Sequence, residues 1–169
     1  MMQYGQSSSS QSPIEPTGFF TGIQMRPIIF GVIIDTVSTF AISVLYNTFY
    51  VAKDLAGKEG AMEDALAAYW SSTDGLMVSL LLGSLGTLIG GLYAAFKAGK
   101  LHMKHGALVG IGSIILGLLF QVGSADSSIP EWFLALSCAA AIPAGALGGF
   151  FAEMLQNFTG GENRLGGGS

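Results

Sequence analysis

Asp35 is the one ionisable residue well inside a long apolar run of this sequence, nine residues beyond Arg26 and so roughly 13 Å from it along a helix. A carboxyl at that depth in hydrocarbon costs about 2.5 to 3.5 kcal/mol to insert, and such groups mark ion paths, proton relays or buried hydrogen-bonded partners. The surrounding Ile, Val, Leu and Phe residues contribute some tenths of a kcal/mol each, enough to carry the acid in. Counting inward from the basic and acidic residues at the other span ends puts Thr87, Ser113 and Pro143 at nearly the same depth, roughly 13 to 15 Å. Asp35, Thr87, Ser113 and Pro143 are therefore expected to form one intramembrane polar layer. Pro143 has no N–H and frees the carbonyl of Ala139, to which a neutral Asp35 could donate, as it could to a hydroxyl. Such a layer is either a proton- or cation-responsive site or a hydrogen-bonded knot that fixes helix register.

His102 and His105 lie three residues apart beside Lys97, Lys100 and Lys104. Two histidines at that spacing can share a metal, but two ligands with no neighbouring Cys or carboxylate make a weak site. A solvated basic turn against anionic headgroups is the expectation, with no metal and no cofactor. Cys138, the single cysteine, excludes an intramolecular disulfide and sits in an apolar run as a packing residue. Phosphate-binding loops, Ser/His/Asp arrangements and paired-carboxylate motifs are all missing, so no enzyme activity is expected. A net charge of −4 with no Lys/Arg cluster argues against nucleic acid as a partner.

The elements that must hold these residues follow from composition. A chain of 169 residues that is 50% hydrophobic and 11% charged, with mean hydropathy +0.56, has too little polar surface for a water-soluble domain, so its solvent is the lipid bilayer. Four segments reach the roughly 20 apolar residues needed to cross it: Ile28 to Tyr50, Leu76 to Phe96, Gly106 to Gly123 and Trp132 to Leu155. The third is short. The expected fold is an all-α transmembrane four-helix bundle over residues 25–158, with a polar, mobile tail over 1–24 and a flexible Gly-rich tail over 159–169. No basic region leading into an apolar stretch opens the chain, so no cleavable signal peptide is expected.

Basic residues resist translocation. Arg26, Lys97, Lys100, Lys104 and Arg164 mark one side, and only Lys53 and Lys58 the other, where Asp and Glu outnumber them. This predicts both termini on the cytoplasmic side, with Trp70 and Trp132 at the outer headgroup level. Between the first two spans Met62, Leu66, Tyr69 and Trp70 recur at helical spacing, predicting a short helix that caps the outer end of the bundle or meets a partner.

Within lipid, helices associate through close backbone approach at small residues four apart. The second span carries Ser79, Gly83, Thr87 and Gly91 on one stripe and Gly86 with Gly90 on another. The third carries Gly106 with Gly110, and Ser113 with Gly117. The fourth carries Ala140, Ala144 and Gly148 beside Ala141, Gly145 and Gly149. Two stripes on one span exceed a single contact, which leaves room for a homo-oligomer or a larger membrane-protein partner besides the bundle itself. A short echo, Ile89-Gly-Gly-Leu-Tyr-Ala94 against Leu147-Gly-Gly-Phe-Phe-Ala152, would fit two parallel hairpin repeats.

The stretch Gly90-Gly-Leu-Tyr-Ala-Ala-Phe-Lys-Ala-Gly-Lys, followed by His105-Gly-Ala-Leu-Val-Gly110, resembles the double-glycine, basic-turn, His-Gly-Ala-Leu-Val-Gly pattern of small uncharacterised four-helix prokaryotic integral membrane proteins. An opening span with Gly31 and Asp35 is similar to theirs. The resemblance covers spans one to three and implies four helices in a prokaryotic inner or plasma membrane. It implies no activity and no site residues. Two functions are expected of such a chain: a scaffold or accessory subunit packing through Gly/Ala-rich faces, or a small oligomeric proton- or cation-linked transporter or channel using the Asp35 layer.

Overall fold

A computed structural model describes residues 18, 20–55, 62–122 and 129–165, and all regular structure among them is helical. Helix α1 (Met25–Tyr46) continues through a π-helical turn (Asn47–Val51) into the short α2 (Ala52–Leu55). After it come α3 (Met62–Ser71), α4 (Thr73–Ala98), α5 (His102–Val122) and α6 (Glu131–Leu165). Four helical segments are long and apolar enough to cross a membrane: Met25–Val51, Thr73–Ala98, His102–Phe120 and Glu131–Thr159. The third is the shortest, at 19 residues.

Helix α4 runs past the apolar core that hydropathy delimits because it ends where its backbone finds caps. The Ser72 hydroxyl oxygen accepts from the Gly75 N–H at the start of α4, and Gly99, at φ 65°, closes its other end in the left-handed conformation. Helix α6 continues to Leu165, through residues expected to belong to a flexible tail. Of the expected N-terminal tail, only residues 18 and 20–24 are among those described.

Helix α4 packs along α1 and α6, and α5 packs along α6, α4 and α1. Large apolar side chains point away from these contacts: Phe30, Ile33, Val37 and Phe40 of α1, with Ile115 and Leu119 of α5, are each more than half exposed. The interior is made of small residues, with Ala94, Ala95, Val109 and Ala152 fully buried. That distribution inverts the soluble pattern and suits helices whose solvent is hydrocarbon.

Glycine sets how close the backbones come. A Cβ at Gly90 would strike the Gly31 carbonyl of α1, and one at Gly91 the Gly145 carbonyl of α6. On α6, Gly148 faces the Leu88 carbonyl of α4, while Gly145 and Gly149 face the Gly106 and His102 carbonyls of α5. Gly110 faces Ala141. Helices α4 and α6 each need two stripes because each has two close neighbours inside the bundle. Gly83 and Gly117, on the same expected stripes, pack against nothing: a Cβ at either has no atom within 4 Å. The echoed Gly-Gly pairs divide their neighbours in opposite order. The first glycine of the α4 pair meets α1 and the second α6, whereas the first of the α6 pair meets α4 and the second α5.

Helix α3 docks on the end of α1. The Tyr69 and Tyr46 hydroxyls lie 2.8 Å apart, the Trp70 indole N–H donates to Asn47 Oδ1 at 3.1 Å, and Tyr46 stacks on Tyr50 with ring centroids 5.3 Å apart. The short helix expected in this loop is thus present, with Tyr69 and Trp70 as its contact face and Met62 exposed.

Candidate functional site

Asp35 is seated against α4 by two missing side chains. A Cβ at Gly86 would meet the Thr39 hydroxyl and the Asp35 carboxyl, and one at Gly90 would meet Asp35 Cβ. The carboxyl therefore lies flat on α4 and is buried, as is Thr87 beside it. Asp35 Oδ1 accepts from the Thr39 hydroxyl, one turn along α1, at 3.2 Å. Oδ2 is faced by two hydroxyls from other helices, Thr87 of α4 at 3.1 Å and Ser113 of α5 in a very short contact.

Each of those two hydroxyls has a second acceptor. Thr87 Oγ1 lies 3.0 Å from the Gly83 carbonyl oxygen and Ser113 Oγ 3.0 Å from that of Val109, both four residues earlier in their own helices. A hydroxyl carries one proton and can donate it one way at a time. With Asp35 ionised, the three hydroxyls can all donate to the carboxylate. With Asp35 protonated, the acid donates to a hydroxyl oxygen while Thr87 and Ser113 turn to their helix carbonyls. The site accommodates both charge states by rotating O–H bonds alone.

The layer expected from depth is thus assembled from three of its four members. Asp35, Thr87 and Ser113 meet; Pro143 does not, because it is exposed on α6, and the helix continues through it. Pro143 belongs to neither of the two α6 stripes, which take the inward face. Thr39 was missed, although its place four residues after Asp35 puts it on the same helix face.

The layer lies at one end of an open cavity of about 680 Å³ lined by α1, α4, α5 and α6. The cavity runs from Asp35 to the ends of α5 and α6 at Phe120 and Ile129. From Thr87 to Ser79 on its α4 wall is eight residues, about 12 Å. Its walls carry the hydroxyls of Thr36, Ser43, Ser79, Ser84 and Ser137 and the Cys138 thiol among apolar side chains. Gly83 and Gly117 both line it, which is why neither packs. Cys138, expected as packing, is half-buried on this wall.

The basic turn divides. Lys97 and Lys100 are exposed, and His102, half-buried, lies with Nε2 2.9 Å from Gln156 Oε1. His105 is fully buried rather than part of a solvated cap. Its Nε2 accepts from the Gln24 backbone N–H at 3.0 Å and its Nδ1 donates to the Leu101 carbonyl at 3.1 Å, which fixes the neutral Nδ1–H tautomer. Gln24 also donates through its side chain to the Ala98 carbonyl, one of the last of α4, at 3.1 Å. The histidine pins the start of α1 to the α4–α5 turn. Among the described residues no group of three His, Cys, Asp or Glu side chains is placed to hold a metal.

No family model, curated protein or solved structure matches the chain.

Proposed function

We propose that this is a non-enzymatic multi-pass protein of a prokaryotic cell membrane that admits a small solute or cation to an intramembrane site at Asp35. The observation that carries the reading is the convergence of hydroxyls from α1, α4 and α5 on one carboxyl at the inner end of a hydroxyl-bearing cavity. A buried acid that only fixed register would need no such space in front of it. Five basic residues against two support cytoplasmic termini, which turns the cavity toward the outside. The scaffold reading rests on Gly/Ala stripes left over for a lateral contact. Here those of α4 and α6 are taken up by neighbours inside the bundle.

Single cysteines at Thr36, Thr39 and Ser43, in a Cys138→Ser background because Cys138 would itself react, test access to the cavity. A small membrane-impermeant thiol reagent added from outside should modify them in intact vesicles. Uniform protection at all three would sink the proposal. Native mass spectrometry after gentle extraction supplies the stoichiometry and any partner that a scaffold would retain.

A further inference from the structure

The chemistry of the cavity narrows what it can hold. About 680 Å³ lies within the roughly 300 to 1,000 Å³ of small-molecule pockets and far exceeds the needs of one monovalent metal ion. Its charge-bearing group is a single carboxyl at the inner end. Phe40, Phe120 and Phe133 line it with Leu80, Ile114 and Leu134. That is a polar seat for one charge at the end of an apolar sleeve.

The two oxygens of the seat differ. Oδ1 is occupied by Thr39, on the same helix. Oδ2 is faced by Thr87 and Ser113, and each of these hydroxyls has its own helix carbonyl as a second acceptor at 3.0 Å. Oδ2 can therefore exchange both hydroxyl donors for an incoming N–H donor without orphaning either hydroxyl, so the exchange avoids the cost of a buried unsatisfied group. An ammonium adds a full positive charge to the N–H···O contact with Oδ2, where the hydroxyls bring only a dipole, and a pair charged on both sides is the stronger.

We propose that the cavity binds an amphipathic ammonium cation, its charged head on Asp35 Oδ2 and its apolar body along Ile114, Phe133 and Leu134. This rests on the reading that the cavity admits solute. The ammonium and a proton compete for the same oxygen, so binding to protonated Asp35 releases one proton to the cavity and thence to bulk water. Among the described residues that line the cavity, α4 and α5 offer no titratable group beside Asp35, and α6 offers the Cys138 thiol. The ammonium can come from a free amine or from an aminophospholipid headgroup.

The test is calorimetric titration of the full chain in phosphatidylcholine nanodiscs with 4-phenylbutylammonium, and with 4-phenylbutanol as its uncharged counterpart. The amine should bind saturably, more tightly as pH rises until Asp35 is ionised, and about ten- to a hundred-fold more weakly to Asp35→Asn. The alcohol should be indifferent to that substitution. Gly83→Leu, which grows a side chain into the cavity with Asp35 intact, should abolish binding and keeps the test decisive if Asp35→Asn fails to fold. Competition by phosphatidylethanolamine in the nanodisc supports the site and assigns the headgroup; indifference to it, with amine binding intact, supports a free amine. Equal binding of the amine by wild type and Asp35→Asn, or by Gly83→Leu, overturns the proposal. Labelled cysteines that the amine does not protect overturn it too, while leaving the accessible cavity standing.

Discussion

Replacing Gly145 by Ala should loosen the α5–α6 contact and lower stability by about 1 to 2 kcal/mol. A methyl at Gly145 would stand 3.1 Å from the Gly110 nitrogen and the Gly106 carbonyl carbon, and closer still to the Gly106 carbonyl oxygen. Backbone cannot swing aside as a flexible side chain does, so the helices must part by roughly an ångström. A gap of about 0.5 to 1 Å forfeits a quarter to a half of the dispersion well of each contact it opens, and overpacking of this kind costs about 1 to 3 kcal/mol. The better helix propensity of Ala returns at most about 1 kcal/mol. Gly83→Ala is the matched control: with nothing within 4 Å of its Cβ it should be neutral or stabilising by up to about 1 kcal/mol. Unfolding by sodium dodecyl sulfate in mixed micelles, followed by the fluorescence of Trp70 and Trp132, reads both. Equal losses for the two variants, or a larger loss for Gly83→Ala, would refute the helix contacts described above.

Asp35→Asn should remain folded, within about 1 kcal/mol of wild type, because its amide can donate to Thr87 and Ser113 while their hydroxyls turn to the Gly83 and Val109 carbonyls; flux in proteoliposomes should nevertheless fall to background. His105→Ala leaves the Gln24 N–H without its acceptor and opens a void, so a loss of about 2 to 4 kcal/mol is expected in thermal unfolding, with faster hydrogen exchange at Gln24. Trp70→Phe removes one hydrogen bond to Asn47 and should raise hydrogen exchange across α3 while leaving the bundle's unfolding midpoint within about 1 kcal/mol of wild type. Gly99→Ala places a Cβ at φ 65° and should cost about 1 to 2 kcal/mol by the same unfolding assay.

Helix count and approximate extent were legible because a span needs only length and apolarity, both linear properties of a chain. The meeting of Asp35, Thr87 and Ser113 was legible for a similar reason: depth in a bilayer can be counted in residues from charged ends. Azimuth cannot be counted so simply when nearly every position is apolar or small. Pro143 failed on azimuth, sitting on an outward face of α6. His105 failed otherwise, because a histidine among lysines reads as solvated until the fold buries it and supplies a backbone N–H for it to accept from. Glycine stripes mark where helices can touch, yet Gly83 and Gly117 show that the same spacing also lines a void. The sequence offers no local mark to separate a glycine that packs from one that makes room.

The bundle is mechanically uneven. At one end Gln24, His105 and Ala98 tie α1 to the α4–α5 turn, and Gly31 lies directly against the Gly90 carbonyl and the Ala94 and Val109 side chains. The other end surrounds a cavity and is braced by the docking of α3 on α1. Tyr46, the last residue of α1, lies fifteen residues, about 22 Å, beyond Gly31. A tilt of about 5° about that tight point would carry the far end of α1 through roughly 2 Å. The glycines that bring the helices together thus also set where any tilt of α1 would pivot, and the arm beyond them forms one wall of the cavity.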